Sequence, residues 1–137
     1  MNSWLCPVRL PSWRKIKETS IFGVGPSQKS KLLEVGKGDF LAIYLLRPVD
    51  GFIAICEVIS DPYEGHDNVW GKGRYPHRVK IKTLSKFLRS TKNAIPLSSC
   101  LGHNVVEEGL TIEPYLHRVA LAKISHRSFQ CLKHQFE

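Results

Sequence analysis

Apolar residues are most continuous in the first half of the chain. Residues 39–46 (DFLAIYLL) and 52–59 (FIAICEVI) are two almost uninterrupted apolar runs, rich in branched and aromatic side chains. Runs of this length without alternation are typical of strands that are buried on both faces. Asp50-Gly51 lies between them, and a short Asp-Gly connection favours a tight turn. We therefore predict that the two strands are antiparallel neighbours.

A third segment, residues 75–84 (YPHRVKIKTL), alternates between apolar and basic positions. One side holds His77, Val79 and Ile81, and the other holds Arg78, Lys80 and Lys82. A period of two predicts a strand with one packed face and one basic face. The preceding residues, 60–73, are polar and rich in glycine, so we predict a long loop that carries Trp70.

The remaining elements are short and depend on caps and turns. A serine before an apolar-periodic stretch is typical of a helix N-cap, which here singles out Ser12, Ser27 and Ser125. We predict strands at 3–8 and 118–124, and helices at 12–18, 27–35 and from 126 onward. The last helix has Phe129, Leu132 and Phe136 at helical spacing. Residues 86–114 show no pattern that predicts an element.

These elements give about six strands and three short helices, without the strand–helix alternation of a doubly wound parallel sheet. A chain of 137 residues, 42% hydrophobic, is long enough to bury one core. We predict an α+β fold in which a small curved sheet of mixed strands, or a partial barrel, is flanked by short helices. The whole chain, residues 1–137, is expected to form a single domain.

The charge balance of the chain indicates what kind of partner it binds. The chain has 20 Lys plus Arg against 12 Asp plus Glu, a net charge of +8, and its pI is about 9.5. Such a field favours polyanions, so nucleic acid is the expected partner, although a basic surface can also serve solubility alone. No apolar run approaches the ~20 residues of a spanning helix, and residues 1–7 lack the pattern of a secretory signal. We expect a cytoplasmic protein without membrane association.

The residue types that could catalyse a reaction or bind a metal form no recognisable motif in this sequence. Four cysteines stand far apart without a C-x-x-C pair, which is the pattern of neither a disulfide framework nor a zinc site. Most of them are expected to be buried. The six histidines have no metal-ligand spacing, and no G-x-S-x-G or cysteine-protease signature occurs. We therefore expect no metal, no cofactor and no catalytic residues.

Aromatic and basic residues are mixed in the first 80 positions. Six rings (Trp4, Trp13, Phe22, Tyr63, Trp70 and Tyr75) alternate along the chain with lysines and arginines. Bases stack on aromatic faces for about 1–3 kcal/mol each, while basic side chains hold phosphates. Trp4, on an apolar strand, is expected in the core, whereas Trp70, in a polar loop, is open to either a core or a ligand-facing role.

Several stretches, taken in order, resemble the EVE domain of the PUA-like superfamily, which is related to the YTH domain. They are Ser3-Trp4-Leu5-Cys6, Ile21-Phe22-Gly23-Val24, Val35-Gly36-Lys37-Gly38-Asp39 with Ile43-Tyr44, Ile53 to Ser60 with Asp61-Pro62-Tyr63, and Tyr75-Pro76-His77-Arg78-Val79-Lys80-Ile81. Residues 118–129 resemble the closing strand and helix of the family. The resemblance implies a curved barrel-like sheet, and a non-enzymatic module that recognises a modified base in DNA or RNA.

The resemblance also implies a binding site. The family's pocket would lie between the end of the first strand, the helix after it and the loop before the Tyr75-Pro76 strand. Phe22 and Trp70 would clamp a flipped or single-stranded base, with Val8, Arg9, Ser27 and Tyr63 at the rim. The phosphates would be bound by Lys29, Lys31, Lys72, Arg74, Arg78 and Lys80. Phe22 stands where the family usually has tryptophan, and Arg9-Leu10-Pro11 stands where an amide side chain would be expected.

Two other classes of function stay open. A small hydrolase or nucleobase-acting enzyme on the same scaffold would need a perturbed polar group in its cavity, and Asp39, Glu57 and Cys6 are the candidates. A protein-interaction module would need an exposed apolar patch. The sequence does not distinguish DNA from RNA, name the modified base or give the oligomeric state.

Overall fold

A computed structural model describes residues 1–71, 74–97 and 120–137 of the chain. Within these ranges there are seven strands and three α-helices. The strands are β1 (Ser3–Val8), β2 (Ile21–Val24), β3 (Phe40–Leu45), β4 (Gly51–Val58), β5 (Tyr63–Glu64), β6 (His77–Leu88) and β7 (Ala122–Ile124). The helices are α1 (Leu10–Thr19), α2 (Lys29–Leu32) and α3 (His126–Phe136), and short 3-10 turns occupy Pro26–Gln28 and Thr91–Asn93.

All seven strands belong to one mixed sheet with the order β2-β6-β4-β3-β1-β7, and β5 also pairs with β6. β1 runs parallel to β3, and every other pair is antiparallel. The sheet curls into a half-barrel with the short helices around it. The predicted fold class, an α+β fold with a curved mixed sheet, is confirmed.

The β3–β4 hairpin has the two-sided burial that its apolar runs predict. Alternate residues enter two separate core clusters, so Leu41 and Ile43 belong to one cluster and Ala42 and Tyr44 to the other. Side chains of α1 and α2 pack in the first cluster, while α3 covers the second with Phe129, Leu132 and Phe136. A sheet with apolar layers on both faces needs apolar residues at consecutive positions.

Two helix starts differ from the prediction. α1 begins at Leu10 rather than at Ser12, because Pro11 is well suited to the first turn of a helix, and Arg9 is the N-cap without a side-chain hydrogen bond. The predicted helix at 27–35 is a 3-10 turn followed by the four-residue α2, and no side chain caps either piece. Ser125, by contrast, accepts a hydrogen bond from the Ser128 N–H at 3.1 Å and caps α3 as predicted.

The region after the hairpin is more regular than predicted. The loop at 60–73 contains β5, which pairs with the start of β6. β6 continues to Leu88, four residues beyond the predicted end, and bends from β2 and β5 at its start to β4 at its end. Part of the unassigned segment 86–114 is therefore strand, and its residues 98–114 lie outside the described ranges. The same holds for residues 118–119 of the predicted closing strand.

Two cysteines, Cys6 and Cys56, are free and buried as expected. Cys131 is disulfide-bonded, which corrects the expectation of no disulfide. Spacing along the sequence does not show which cysteines the fold brings together.

Among the described helices, none is both long and apolar enough to span a bilayer.

One buried carboxylate ties the start of the chain to the sheet. Asp39 is 5% exposed, and its two oxygens accept from three donors. One is the Trp4 indole Nε1–H at 3.1 Å, and the others are the backbone N–H groups of Asn2 and Gly36, both at 2.9 Å. Its role in the fold is therefore structural.

We expect Asp39→Ala to lower the free energy of unfolding by about 2–3 kcal/mol, because it leaves the buried Trp4 N–H and two backbone donors without an acceptor. Urea denaturation followed by circular dichroism measures the change. Asp61→Ala, at an exposed loop position, is the matched control and should stay within about 0.5 kcal/mol. Equal losses in the two variants would contradict the structural role.

Candidate functional site

A cavity of about 280 Å³ lies where β1 ends and α1 begins, next to β2. Its walls are Pro7, Val8, Arg9, Ser12, Ile16, Phe22, Gly23, Val24, Gly25, Leu46, Trp70, Tyr75 and Ala120. Most of these residues are apolar or aromatic, and no carboxylate is among the wall residues that the structure describes. Small-ligand sites have this character, with a few polar groups that fix orientation.

The position of β2 at the end of the sheet creates the cavity. β2 pairs with β6 on one side and has no strand partner on the other within the described residues. Phe22 is 2% exposed and packs in the first core cluster. Gly23 faces the opposite side, since successive residues of a strand alternate. Because both residues line the cavity, the cavity lies along the free edge of β2.

Trp70 forms the wall on the Gly23 side. A Cβ added at Gly23 would lie 2.8 Å from Cζ3 of the Trp70 ring, so the ring packs directly on this glycine. Tyr75 meets Trp70 edge to face, with ring centroids 5.5 Å apart. Phe22 and Trp70 therefore flank the free edge of β2 from its two faces.

The backbone of Gly23 is directed toward this edge. The Ile81 N–H donates to the Ser20 carbonyl at 3.0 Å, which makes Ser20 and Ile81 a hydrogen-bonded pair of the β2–β6 ribbon. Pairs in an antiparallel ribbon alternate, so the Gly23 and Arg78 pair three residues on is a non-hydrogen-bonded one. The N–H and C=O of Gly23 consequently point away from β6, on the side of the cavity.

Arg78 contacts the Trp70 ring and both ends of the segment that carries it. Its guanidinium is fully buried and donates from Nε to the Tyr75 carbonyl at 3.0 Å and from Nη2 to the Asp67 carbonyl at 2.8 Å. Nη1 pairs with the Asp67 carboxylate. The guanidinium also lies 5.3 Å from the centroid of the Trp70 ring, within cation–π range. One side chain thus fixes both ends of the segment that carries Trp70.

Comparison with known proteins identifies the family of this chain. The family described as "EVE domain" matches residues 2–135. This chain belongs to the EVE domain family. A UPF0310 protein of Pyrococcus horikoshii is 33% identical over 97 residues, which is 61% of this chain and 67% of that protein. The resemblance inferred from the sequence is confirmed.

Solved structures show the same fold at low sequence identity. The YTH domain of Zygosaccharomyces rouxii MRB1, solved in complex with N6-methyladenosine RNA, superposes with a TM-score of 0.69 at 15% identity. The match covers 98% of this chain and 87% of that one. The Pho92 YTH domain in complex with m6A gives a TM-score of 0.69 at 17% identity, over 98% of this chain and 86% of that one.

The cavity of this EVE domain brings together four of the six residues predicted to contact a base. Val8, Arg9, Phe22 and Trp70 all line it. Ser27 is exposed in the turn after β2 and does not line the cavity. Tyr63 lines a different cavity of about 170 Å³, with Lys29, Leu32, Leu33, Pro62, Glu64 and His77.

Of the six predicted phosphate ligands, the five that the structure describes do not form one group. Lys29 lies at the smaller cavity, Lys31 is half-buried, and Lys80 is exposed on β6. Arg74 lies beside Trp70 and Tyr75, and Lys72 is outside the described residues.

Arg78 does not belong to the basic, solvent-exposed face that was predicted for β6. Alternation placed it with Lys80 and Lys82 in solvent, but it is buried because the β5 segment and Trp70 cover the start of β6. Even a Cβ at Gly65 would lie 2.9 Å from Nη1, which shows how closely the loop packs on this side chain. Arg78 is a structural cation and is not accessible to a phosphate.

The sequence did not identify Tyr75 and Gly23 as site residues. Tyr75 was recognisable only as a second aromatic in the same segment as Trp70, five positions later. Gly23 has no side chain, and its importance comes from the edge position of β2 and from the ring packed on it.

The enzyme candidates do not gather in the cavity. Asp39 accepts hydrogen bonds from three donors of the fold, and neither Cys6 nor Glu57 lines the cavity. Burial raises the pKa of the Cys6 thiol well above its usual value and that of Cys56 to about 11, so both thiols are protonated at neutral pH and are poor nucleophiles. No group of three or more potential metal ligands occurs in the part of the chain that is described.

We expect Arg78→Met to destabilise the protein by about 2–3 kcal/mol, because the charged hydrogen bonds to Tyr75 and Asp67 are lost while the apolar stem is retained. Trp70 emission should shift to the red as its ring loosens. Urea denaturation and fluorescence spectra measure the two effects.

Lys80→Met is the control, since Lys80 is exposed on the same strand and the change in charge is the same. It should leave both the stability and the emission spectrum nearly unchanged. An Arg78→Met protein with the original emission spectrum would show that the guanidinium does not position Trp70.

Proposed function

We propose that this EVE domain binds one base of a nucleic-acid strand in the 280 Å³ cavity, and that it prefers a modified base to the unmodified one. The observation that carries the proposal is the arrangement at the free edge of β2. Two aromatic side chains, Phe22 and Trp70, flank the edge from opposite faces, with the Gly23 backbone between them.

The size and walls of the cavity suit a flat aromatic ligand. Its volume of about 280 Å³ lies just below the roughly 300–1,000 Å³ typical of sites for drug-sized ligands, which suits a single base. Stacking on an aromatic face contributes about 1–3 kcal/mol per base. Extruding a base from a duplex costs a few kcal/mol, so a single-stranded or already unstacked base is the favoured ligand.

The Gly23 backbone supplies the polar part of recognition. An N–H donor and a C=O acceptor on the same residue can bind an acceptor and a donor on the edge of a base. Backbone groups do this without an amide side chain, which is absent at Arg9-Leu10-Pro11. A methyl group on the base would gain contact with apolar walls such as Val8, Ile16 and Leu46, and this contact favours the methylated form.

The comparisons support the same class of ligand. Two YTH domains with the same fold were solved with N6-methyladenosine RNA or with m6A. The net charge of +8 favours a polyanionic partner. For this chain, RNA and DNA are both candidates, and methylated adenine is the first base to test.

Titration with five-nucleotide single strands should quench tryptophan fluorescence. Trp4 and Trp13 are buried in the core, so we expect the quenching to come from Trp70. The probes are RNA and DNA that carry one central N6-methyladenine, one central 5-methylcytosine or the unmodified bases. We expect at least one methylated strand to bind about fivefold or more tightly than its unmodified counterpart.

Trp70→Phe keeps an aromatic wall and removes the reporter, so it should abolish the quenching while stability stays close to that of the original protein. Equal affinity for methylated and unmodified strands would contradict selection of a modified base. Absence of quenching by every strand at low salt would contradict base binding in this cavity.

Two glycines, one in the cavity wall and one outside it, provide a matched pair of variants. A Cβ at Gly23 would meet the Trp70 ring at 2.8 Å and the Tyr75 carbonyl oxygen at 2.9 Å, whereas a Cβ at Gly36, which does not line the cavity, would have nothing within 4 Å. We expect Gly23→Ala to weaken binding of the preferred strand about tenfold or more, because the ring and the backbone must both move. Gly36→Ala should bind normally.

Affinities from the fluorescence titrations, together with circular dichroism spectra, measure this difference. If Gly23→Ala folds and binds as well as Gly36→Ala, the free edge of β2 is not the binding site.

A further inference from the structure

An open groove of about 450 Å³ continues from the mouth of the base cavity. Ser12, Trp70 and Tyr75 line both spaces, so the groove begins where the cavity ends. Its other walls come from the first turns of α1 and from the segment before β6. A ligand with one part in the cavity can therefore extend into the groove along the same aromatic residues.

Two cations face this groove from opposite sides. Lys15 is exposed on α1, and Ser12 lies three positions earlier on the same face of that helix. The opposite face of α1 carries Trp13 and Ile16 into the core. Arg74 comes from the loop side and lies over the Tyr75 ring, with its guanidinium carbon 5.6 Å from the centroid.

The groove is suited to an anion. No carboxylate is among its described wall residues, and neither Lys15 nor Arg74 forms an ion pair within the described ranges. Asp67, the nearest acidic residue along the loop, is paired with Arg78. The cationic groups of Lys15 and Arg74 are thus both available to a ligand.

We propose that Lys15 and Arg74 form a phosphate site for the nucleotide next to the inserted base. The inference rests on the proposed function, and it adds a path for the strand: the base enters the cavity and the sugar-phosphate chain follows the groove between α1 and Tyr75. Lys29 lines the smaller cavity, and Lys80 lines neither the base cavity nor the groove, so neither lysine belongs to this path. Lys15 has no place among the residues that the sequence suggested.

The experiment compares a ligand that has no phosphate with one that has several. The probes are the nucleoside N6-methyladenosine and a five-nucleotide RNA with one central N6-methyladenosine. Binding is followed by the indole N–H signal of Trp70 in ¹H–¹⁵N spectra for the nucleoside, and by Trp70 fluorescence at several salt concentrations for the RNA. The variants are Lys15→Ala and Arg74→Ala.

Lys17→Ala is the matched control, since Lys17 is exposed on the same helix, carries the same charge and does not line the groove. We expect Lys15→Ala and Arg74→Ala each to weaken RNA binding about three- to fivefold at low salt. Each should also reduce the slope of log K against log salt by about 0.7, the value for one phosphate contact on a single strand. Nucleoside binding should stay unchanged in all three variants.

If the unmodified protein binds both probes but Lys15→Ala and Arg74→Ala behave like Lys17→Ala, the phosphate site is wrong and the base site stands. A loss of nucleoside binding in Lys15→Ala would also overturn the phosphate site, because the residue would then act on the base cavity. If neither these probes nor any strand of the fluorescence titrations perturbs Trp70 in the unmodified protein, the proposed function fails, and the groove inference fails with it.

Discussion

The candidate site depends on the contacts that the buried guanidinium of Arg78 makes with Asp67, Trp70 and Tyr75. A cation in an apolar environment is costly unless its donors are satisfied, and here every nitrogen of the side chain has a partner. Two of those partners belong to Asp67 and the third is the carbonyl of Tyr75, so the segment between them is held at both ends. Trp70 lies on the guanidinium in the middle of that segment. Trp70 thereby takes a defined position in the cavity wall.

Trp70 packs on Gly23 of β2, and the position of this strand in the sheet explains where the cavity lies. β2 is short, lies at the end of the sheet and has its hydrogen-bonding groups directed outward at Gly23. An exposed edge is usually a site of unwanted strand pairing, and proteins cover or shorten such edges. In this EVE domain the edge is only four residues long, and Phe22 and Trp70 flank it from its two faces.

Most of the fold could be predicted from local patterns, because consecutive apolar residues in β3 and β4 and alternating ones in β6 follow directly from burial on two faces or on one. The candidate site could be predicted only in part. The family resemblance places Phe22 and Trp70, but the burial of Arg78 depends on contacts with Asp67 and Trp70 that periodicity does not contain. Tyr63 lies at a different cavity from Phe22 and Trp70, because β5 pairs on the far side of β6 from β2.

The place of β1 in the sheet has a consequence for how the chain folds. Ser3 lies opposite Phe40 on one side and opposite Ile124 on the other, so the second neighbour of β1 lies far along the chain from it. Contacts this distant along the chain slow folding, because a large loop must close before they form. During synthesis the edge of β1 stays open until β7 emerges, and the nascent sheet is exposed to misassembly for most of that time.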